Sequence, residues 1–117
     1  MYKYNKYKNT KVEYNGIKFD SKKEMRRYLD LELLLKENKI KELELQKRFE
    51  LQPAYRKNGK AIRKIEYIAD FYYYDIDQQK YIVEDVKASK FLLTDVYKLK
   101  KKLFEYKYED LEIKEIY

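Results

Sequence analysis

From Ile40 the chain alternates with a period of two. In IKELELQKRFELQPAY, Leu43, Leu45, Lys47, Phe49 and Leu51 fall on one face. That is the repeat of a half-buried strand, not of a helix. Pro53 has no amide donor, so it predicts an edge or a break near the strand's end. KNGK (57–60) reads as a hairpin turn, AIRKIEYIADFYYYD as a long strand, IDQQK as another turn and YIVEDVK as a third strand. Connections this short join antiparallel neighbours, so the three strands are expected to form a meander.

Before them, KVEYNGIKF places Asn15-Gly16 between two short alternating runs, the strongest short-range signal for a type I′ hairpin. In DSKKEMRRYLDLELLLKENK, Asp20 or Ser21 can cap a helix, and Met25, Tyr28, Leu29 and Leu33 recur at helical spacing. A helix is expected over roughly residues 21–38. After the third strand, Thr94 can cap a second helix, DVYKLKKKLFEYKY. Val96, Leu99 and Leu103 form its expected apolar stripe, with Lys98, Lys101, Lys102 and Glu105 facing elsewhere. LEIKEIY closes the chain as a strand, reached by a helical crossover. The expected fold class is α/β of the α+β kind: a mixed sheet in the order α-β-β-β-α-β, helices on its faces, preceded by a hairpin. Residues 11–117 read as one domain. Residues 1–10, MYKYNKYKNT, mix Tyr, Lys and Asn without a period. They read as a frayed terminus or as a basic arm that tracks phosphates.

Composition narrows the chemistry. The 117 residues contain no cysteine and no histidine, which removes disulfides, thiolate metal sites and the commonest general base. Catalysis by such a chain must use carboxylates, lysine, tyrosine or an oxygen-held metal. No apolar run approaches the ~18 residues of a membrane span, and a cytoplasmic location is expected. The formal charge of +7 points to an anionic partner such as nucleic acid. The cations are mostly Lys, and Lys, Tyr, Asn and Ile all have AT-rich codons, so an AT-rich genome would produce much of that bias without selection for binding.

The chemistry-bearing pattern lies in the last two meander strands. IADF sets Asp70 inside an apolar run, which is costly unless something offsets it. Asp85 and Lys87 are two apart in the next strand and share a face. If Asp70 joins them, two carboxylates and an ammonium converge, a setting for a hard divalent cation held by oxygen. Acid-x-Lys alone says little: it occurs five times, at residues 20–22, 37–39, 85–87, 105–107 and 112–114. Only Asp85-Val86-Lys87 follows a hydrophobic strand interrupted by an isolated acid. Each residue has a plainer reading as well. Glu24, three after Ser21, closes a capping box. Asp85 and Lys87 make an exposed ion pair. Asp70 caps a turn or joins a salt bridge. The second helix's lysines form a solvated face.

IADF followed by VEDVK resembles the PD-(D/E)XK nuclease signature, with Ala69 where that family often has Pro. VEYNGIKFDSKKEMRRYLDLELL, LELQKRFEL, YIADFYY, VEDVKASK and TDVYKLKKKLFEY resemble small bacteriophage proteins that carry an unknown-function label. Those are grouped with phage endonuclease I and Holliday-junction resolvases. The resemblance implies a restriction-endonuclease-like core and a Mg²⁺- or Mn²⁺-dependent endonuclease acting on branched phage DNA, as a homodimer. It implies Asp70, Asp85, Glu24 and the Val86 carbonyl as metal ligands. It implies Lys87 as the residue that positions or deprotonates the attacking water. Lys90, Lys98, Lys101 and Lys102 are the DNA-binding candidates. Glu84, beside Asp85, leaves the register open, because a shift of one residue exchanges the two faces. Two rivals remain: a DNA-binding protein on a decayed nuclease fold, and a protein-interaction module for an acidic partner.

Overall fold

The computed structural model describes residues 10–117. The arm expected over 1–10 lies outside the described residues except for Thr10. The chain opens with β1 (Val12–Tyr14) and β2 (Ile17–Phe19). Asn15 and Gly16 turn them at φ 50° and 80°, the left-handed pair that a type I′ turn requires. Ser21 then caps α1 (Lys22–Lys36), its Oγ accepting from the Glu24 amide at 3.1 Å.

Next come β3 (Ile40–Gln52), β4 (Tyr55–Lys57), β5 (Lys60–Ile62), β6 (Ile65–Asp75) and β7 (Lys80–Val86). A short 3-10 helix (Lys90–Leu92), α2 (Asp95–Lys107) and β8 (Ile113–Ile116) complete the chain. Thr94 caps α2 through a 3.1 Å bond from the Tyr97 amide. The main sheet has the order β3-β6-β7-β8. β3, β6 and β7 are antiparallel neighbours, and β8 returns parallel to β7 after the crossover through α2. The architecture is therefore mixed α+β, two helices against a mixed sheet. The single long strand expected over residues 61–75 is corrected: β5 pairs only with β4 in a separate ribbon, and β6 begins after Arg63-Lys64.

The two helices lie on opposite faces. Ile82 packs with the α1 cluster of Leu31, Ile40, Phe71 and Tyr73, whereas its neighbour Val83 packs with the α2 cluster of Phe49, Tyr67, Ala69, Tyr97 and Phe104. Adjacent strand residues point opposite ways. β3 does not keep the one-face alternation that its sequence suggests. Leu43 and Leu45 pack under α1, but Phe49 and Leu51 pack under α2. β6 turns over in the same place: Tyr67 and Ala69 face α2, whereas Phe71 and Tyr73 face α1. The cause is local. Gln46 takes φ 53°, a left-handed conformation that breaks the pleat. The ladder runs through Leu45–Phe71 and Lys47–Ala69 and skips Gln46 and Asp70 between them.

The second helix also needs correction. Val96, Leu99 and Leu103 do not face the core; they are 63%, 59% and 41% exposed. Tyr97 and Phe104 are buried instead. A shift of one residue rotates the buried face by about 100°. Phe104 packs against the rings of Phe49 and Tyr67, so α2 turns its aromatic residues to the aromatic patch of the sheet. No helix among the described residues is long and apolar enough to cross a membrane.

Candidate active site

The crossover of faces delivers Asp70 to a cleft. The β6–β7 ladder ends at Phe71–Glu84. Beyond it the Asp70 carboxylate replaces a strand partner, its Oδ2 accepting from the Val86 amide at 2.7 Å. Val86 thus offers its N–H to Asp70. The cleft encloses about 710 Å³ and is lined by the start of α1, the turn-over of β3 and β6, and the end of β7. Glu24, Gln46, Asp70, Asp85, Val86 and Lys87 all line it.

On β7, alternate residues part company. Asp85 shares its side with Lys87: Lys87 Nζ lies 3.0 Å from Asp85 Oδ1, and the Tyr67 hydroxyl donates to Asp85 Oδ2 at 2.7 Å. Lys87 Nζ also sits 3.5 Å from the centre of the Tyr97 ring, so the cation is held between a carboxylate and an aromatic face. Glu84 points the other way and is fully buried. Arg27 grips it with two bonds, Nε to Oε1 at 2.7 Å and Nη2 to Oε2 at 2.5 Å, and the Tyr73 hydroxyl donates to Oε2 at 2.5 Å. The register left open by the sequence therefore resolves structurally, with Asp85 in the cleft and Glu84 in a buried polar network under α1.

Glu24 enters from the first turn of α1. Its amide completes the cap, while its side chain looks into the cleft. Gln46 Nε2 donates both to Glu24 Oε1 at 3.2 Å and to Asp70 Oδ1 at 3.3 Å, so one amide bridges two carboxylates. Burial pushes Glu24 from 4.5 up to about 7, helped by the charges of Asp70 and Asp20. Burial and the charge of Asp85 push Asp70 from 3.8 up to about 6, against the opposing pull of the Val86 amide, Gln46 and Lys87. Desolvation, then Asp85, raises Tyr67 well above the ordinary phenol value. The cleft thus brings together acids that disfavour one another's ionisation.

Both raised acids hold protons more tightly folded than unfolded. Between their ordinary values and about 6 to 7 the folded chain binds more protons, so their contribution to stability is greatest at low pH and declines as pH rises through that window. Glu24→Gln removes one of the two groups and keeps an acceptor for Gln46. Its melting temperature above the window should equal or exceed wild type, and the decline with pH should be shallower. A thermal melt series across that range checks this, and an unchanged slope would remove Glu24 from the coupled set.

Tyr67, Tyr97 and Gln46 are site residues that the sequence does not announce, the two tyrosines because they read as core aromatics. Gln46 is the least visible. Its only trace is its place within a strand-like run, and its role comes from a positive φ that no pattern of residue types specifies. The DNA-binding candidates are scattered. Lys90 is exposed beside Phe91, and Lys98 and Lys102 are exposed on α2. Lys101 is not free: its Nζ bonds Glu115 Oε2 at 3.2 Å. None of the four lines the cleft.

Fold and cleft together define a small mixed α+β protein with an acidic, lysine-bearing site where its central strands diverge. The chain belongs to the family described as protein of unknown function (DUF1064), whose model matches residues 4–117. No curated protein and no solved structure matches it.

Proposed function

We propose that the protein is a Mg²⁺- or Mn²⁺-dependent DNA endonuclease of the PD-(D/E)XK type, acting on branched or recombining DNA as a homodimer. One observation carries the reading: Asp70, Asp85 and Lys87, with Glu24 from α1, meet in a single cleft. Mutually destabilised carboxylates without nitrogen or sulfur donors suit a hard cation. Among the described residues no group of three or more carboxylates is already arranged to hold a metal ion. Lys87 now occupies one oxygen of Asp85, and Gln46 occupies one oxygen each of Glu24 and Asp70. The donor chemistry fits while the present hydrogen bonds compete with it.

Asp70, Asp85, Glu24 and the Val86 carbonyl would hold the ion, which supplies Lewis-acid stabilisation of phosphoryl charge. Lys87 would orient the attacking water and place positive charge beside the pentavalent transition state. Tyr67 fixes Asp85 by its hydrogen bond, and the Tyr97 ring holds the Lys87 ammonium from the opposite side. A second reading, a DNA-binding protein that keeps these acids for stability, is favoured by the fact that each of the three carboxylates already has a protein donor.

The discriminating experiment pairs calorimetry with a cleavage panel of duplex, flap, single-stranded and four-way-junction DNA in Mg²⁺ or Mn²⁺. Wild type should bind Mn²⁺ and cut at least one branched substrate. Asp85→Asn should bind Mn²⁺ at least about tenfold more weakly and cut none. Equal Mn²⁺ binding by the two proteins would take Asp85 out of the site, and DNA binding with no metal uptake would select the second reading.

A further inference from the structure

Residues 53–65, PAYRKNGKAIRKI, contain five cations and no acid, against a net charge of +7 for the whole chain. Within them lies the ribbon β4–β5, which pairs only with itself as a two-stranded sheet, followed by Arg63 and Lys64 before β6 begins. Every residue of the ribbon is exposed except Ile62, which is half-buried. A lone two-stranded ribbon is marginal in water, and this one contributes no residue to either hydrophobic cluster. Its tip runs against stability as well. Lys57 and Lys60 are direct cross-strand partners on either side of the Asn58-Gly59 turn, and like charges directly opposite repel. Arg56 closes the turn through a 2.9 Å bond to the Gly59 carbonyl, a contact that leaves its charge unneutralised. Among the described residues, Lys57, Lys60 and Arg63 have no ion-pair partner, while Lys64 pairs with Glu66 at 3.5 Å.

We propose that the β4–β5 ribbon is an arm that enters the major groove of duplex DNA, with Lys57, Lys60 and Arg63 on its phosphates. The identification of DNA as the partner rests on the reading under Proposed function. A B-form major groove admits a two-stranded ribbon. β6 links arm to site: from Ile65 to Asp70 is five residues, roughly 16 Å at strand rise. Half a turn of duplex is about 17 Å, so the ribbon meets the groove next to the phosphate held at the cleft. The paired lysines that repel in the free protein are neutralised by the backbone they grip. The arm is more concentrated in charge than α2, whose Lys101 is committed to Glu115.

The test uses the full chain in EDTA, so that binding is read without cleavage. Fluorescence anisotropy on a labelled duplex is measured over a salt series for wild type and for Lys57→Ala/Lys60→Ala/Arg63→Ala. A Lys18→Ala/Lys36→Ala variant serves as control. The triple variant should keep its melting temperature, lose at least about tenfold in duplex affinity, and show a salt slope smaller by about 3. The control should not change the slope. An unchanged slope in the triple variant overturns the arm, and so does a variant that loses self-association while keeping DNA affinity. The two proposals separate cleanly. A steep slope lost in the triple variant, with no cleavage in Mg²⁺, sinks the nuclease and keeps the arm. Cleavage with an unchanged slope does the reverse.

Discussion

Lys87→Ala should lower the rate of DNA cleavage by about 10²-fold or more while leaving duplex affinity nearly unchanged. Lys87 lines the cleft beside Asp85, its ammonium held by that carboxylate and by the Tyr97 ring, whereas Lys98 and Lys102 on α2 lie outside the cleft. Under the proposed nuclease reading the charge of Lys87 would act where a phosphorane develops, so the loss would belong to the chemical step and not to binding. The substitution also removes an ion pair and a cation held 3.5 Å from the Tyr97 ring centre. A stability loss of about 1–2 kcal/mol is therefore expected. Single-turnover rates and anisotropy, each measured below the variant's melting temperature, separate the two effects. Ordinary cleavage with only the stability loss would make Lys87 a structural cation.

The largest stability effect should come from the other side of β7. Arg27→Leu leaves the Glu84 carboxylate fully buried and without its cation. Breaking such a pair costs about 3–5 kcal/mol, a fall of roughly 10–20 °C in melting temperature for a domain of this size. The triple change Arg27→Leu/Tyr73→Phe/Glu84→Leu removes every member of the network and should recover most of that loss, because an apolar replacement leaves no orphaned charge or hydroxyl. Cleavage measured at low temperature should survive in both variants. A triple variant as unstable as the single one would show that the network does more than satisfy its own members. A cold-active protein killed by Glu84→Gln would place the chemistry on the α1 side of β7.

Order and caps were legible from residue types because their causes are local. Ser21 and Thr94 can satisfy free amides, and Asn15-Gly16 and Asn58-Gly59 tolerate positive φ. The shared face of Asp85 and Lys87 follows from a period of two over three residues, too short a span for error to build up. Over thirteen residues of β3 the same rule failed, since it assumes an unbroken pleat and Gln46 breaks it. On α2 two candidate stripes lie one residue apart, and only the shape of the sheet beneath selects Tyr97 and Phe104. Arg27 and Glu84 are 57 residues apart, and nothing in either neighbourhood specifies the other. Glu24 was visible as a cap from its spacing to Ser21 and as a site acid only through the family resemblance, because its turn into the cleft depends on where β3 and β6 cross.

The overturning of β3 and β6 at Gln46 and Asp70 gives the sheet a joint. On one side of it Leu43, Leu45, Phe71 and Tyr73 pack with the α1 cluster, on the other Phe49, Leu51, Tyr67 and Ala69 pack with the α2 cluster, and Tyr72 and Val83 carry the α2 cluster across the joint. The count of residues through the joint is constrained: the ladder keeps one register on both sides, Leu45–Phe71 and Lys47–Ala69, so removing Gln46 would leave Asp70 with no residue opposite it and force one side to slip by a residue. Length is therefore frozen where the acids stand, and the freedom to lengthen or shorten lies in the ribbon beyond.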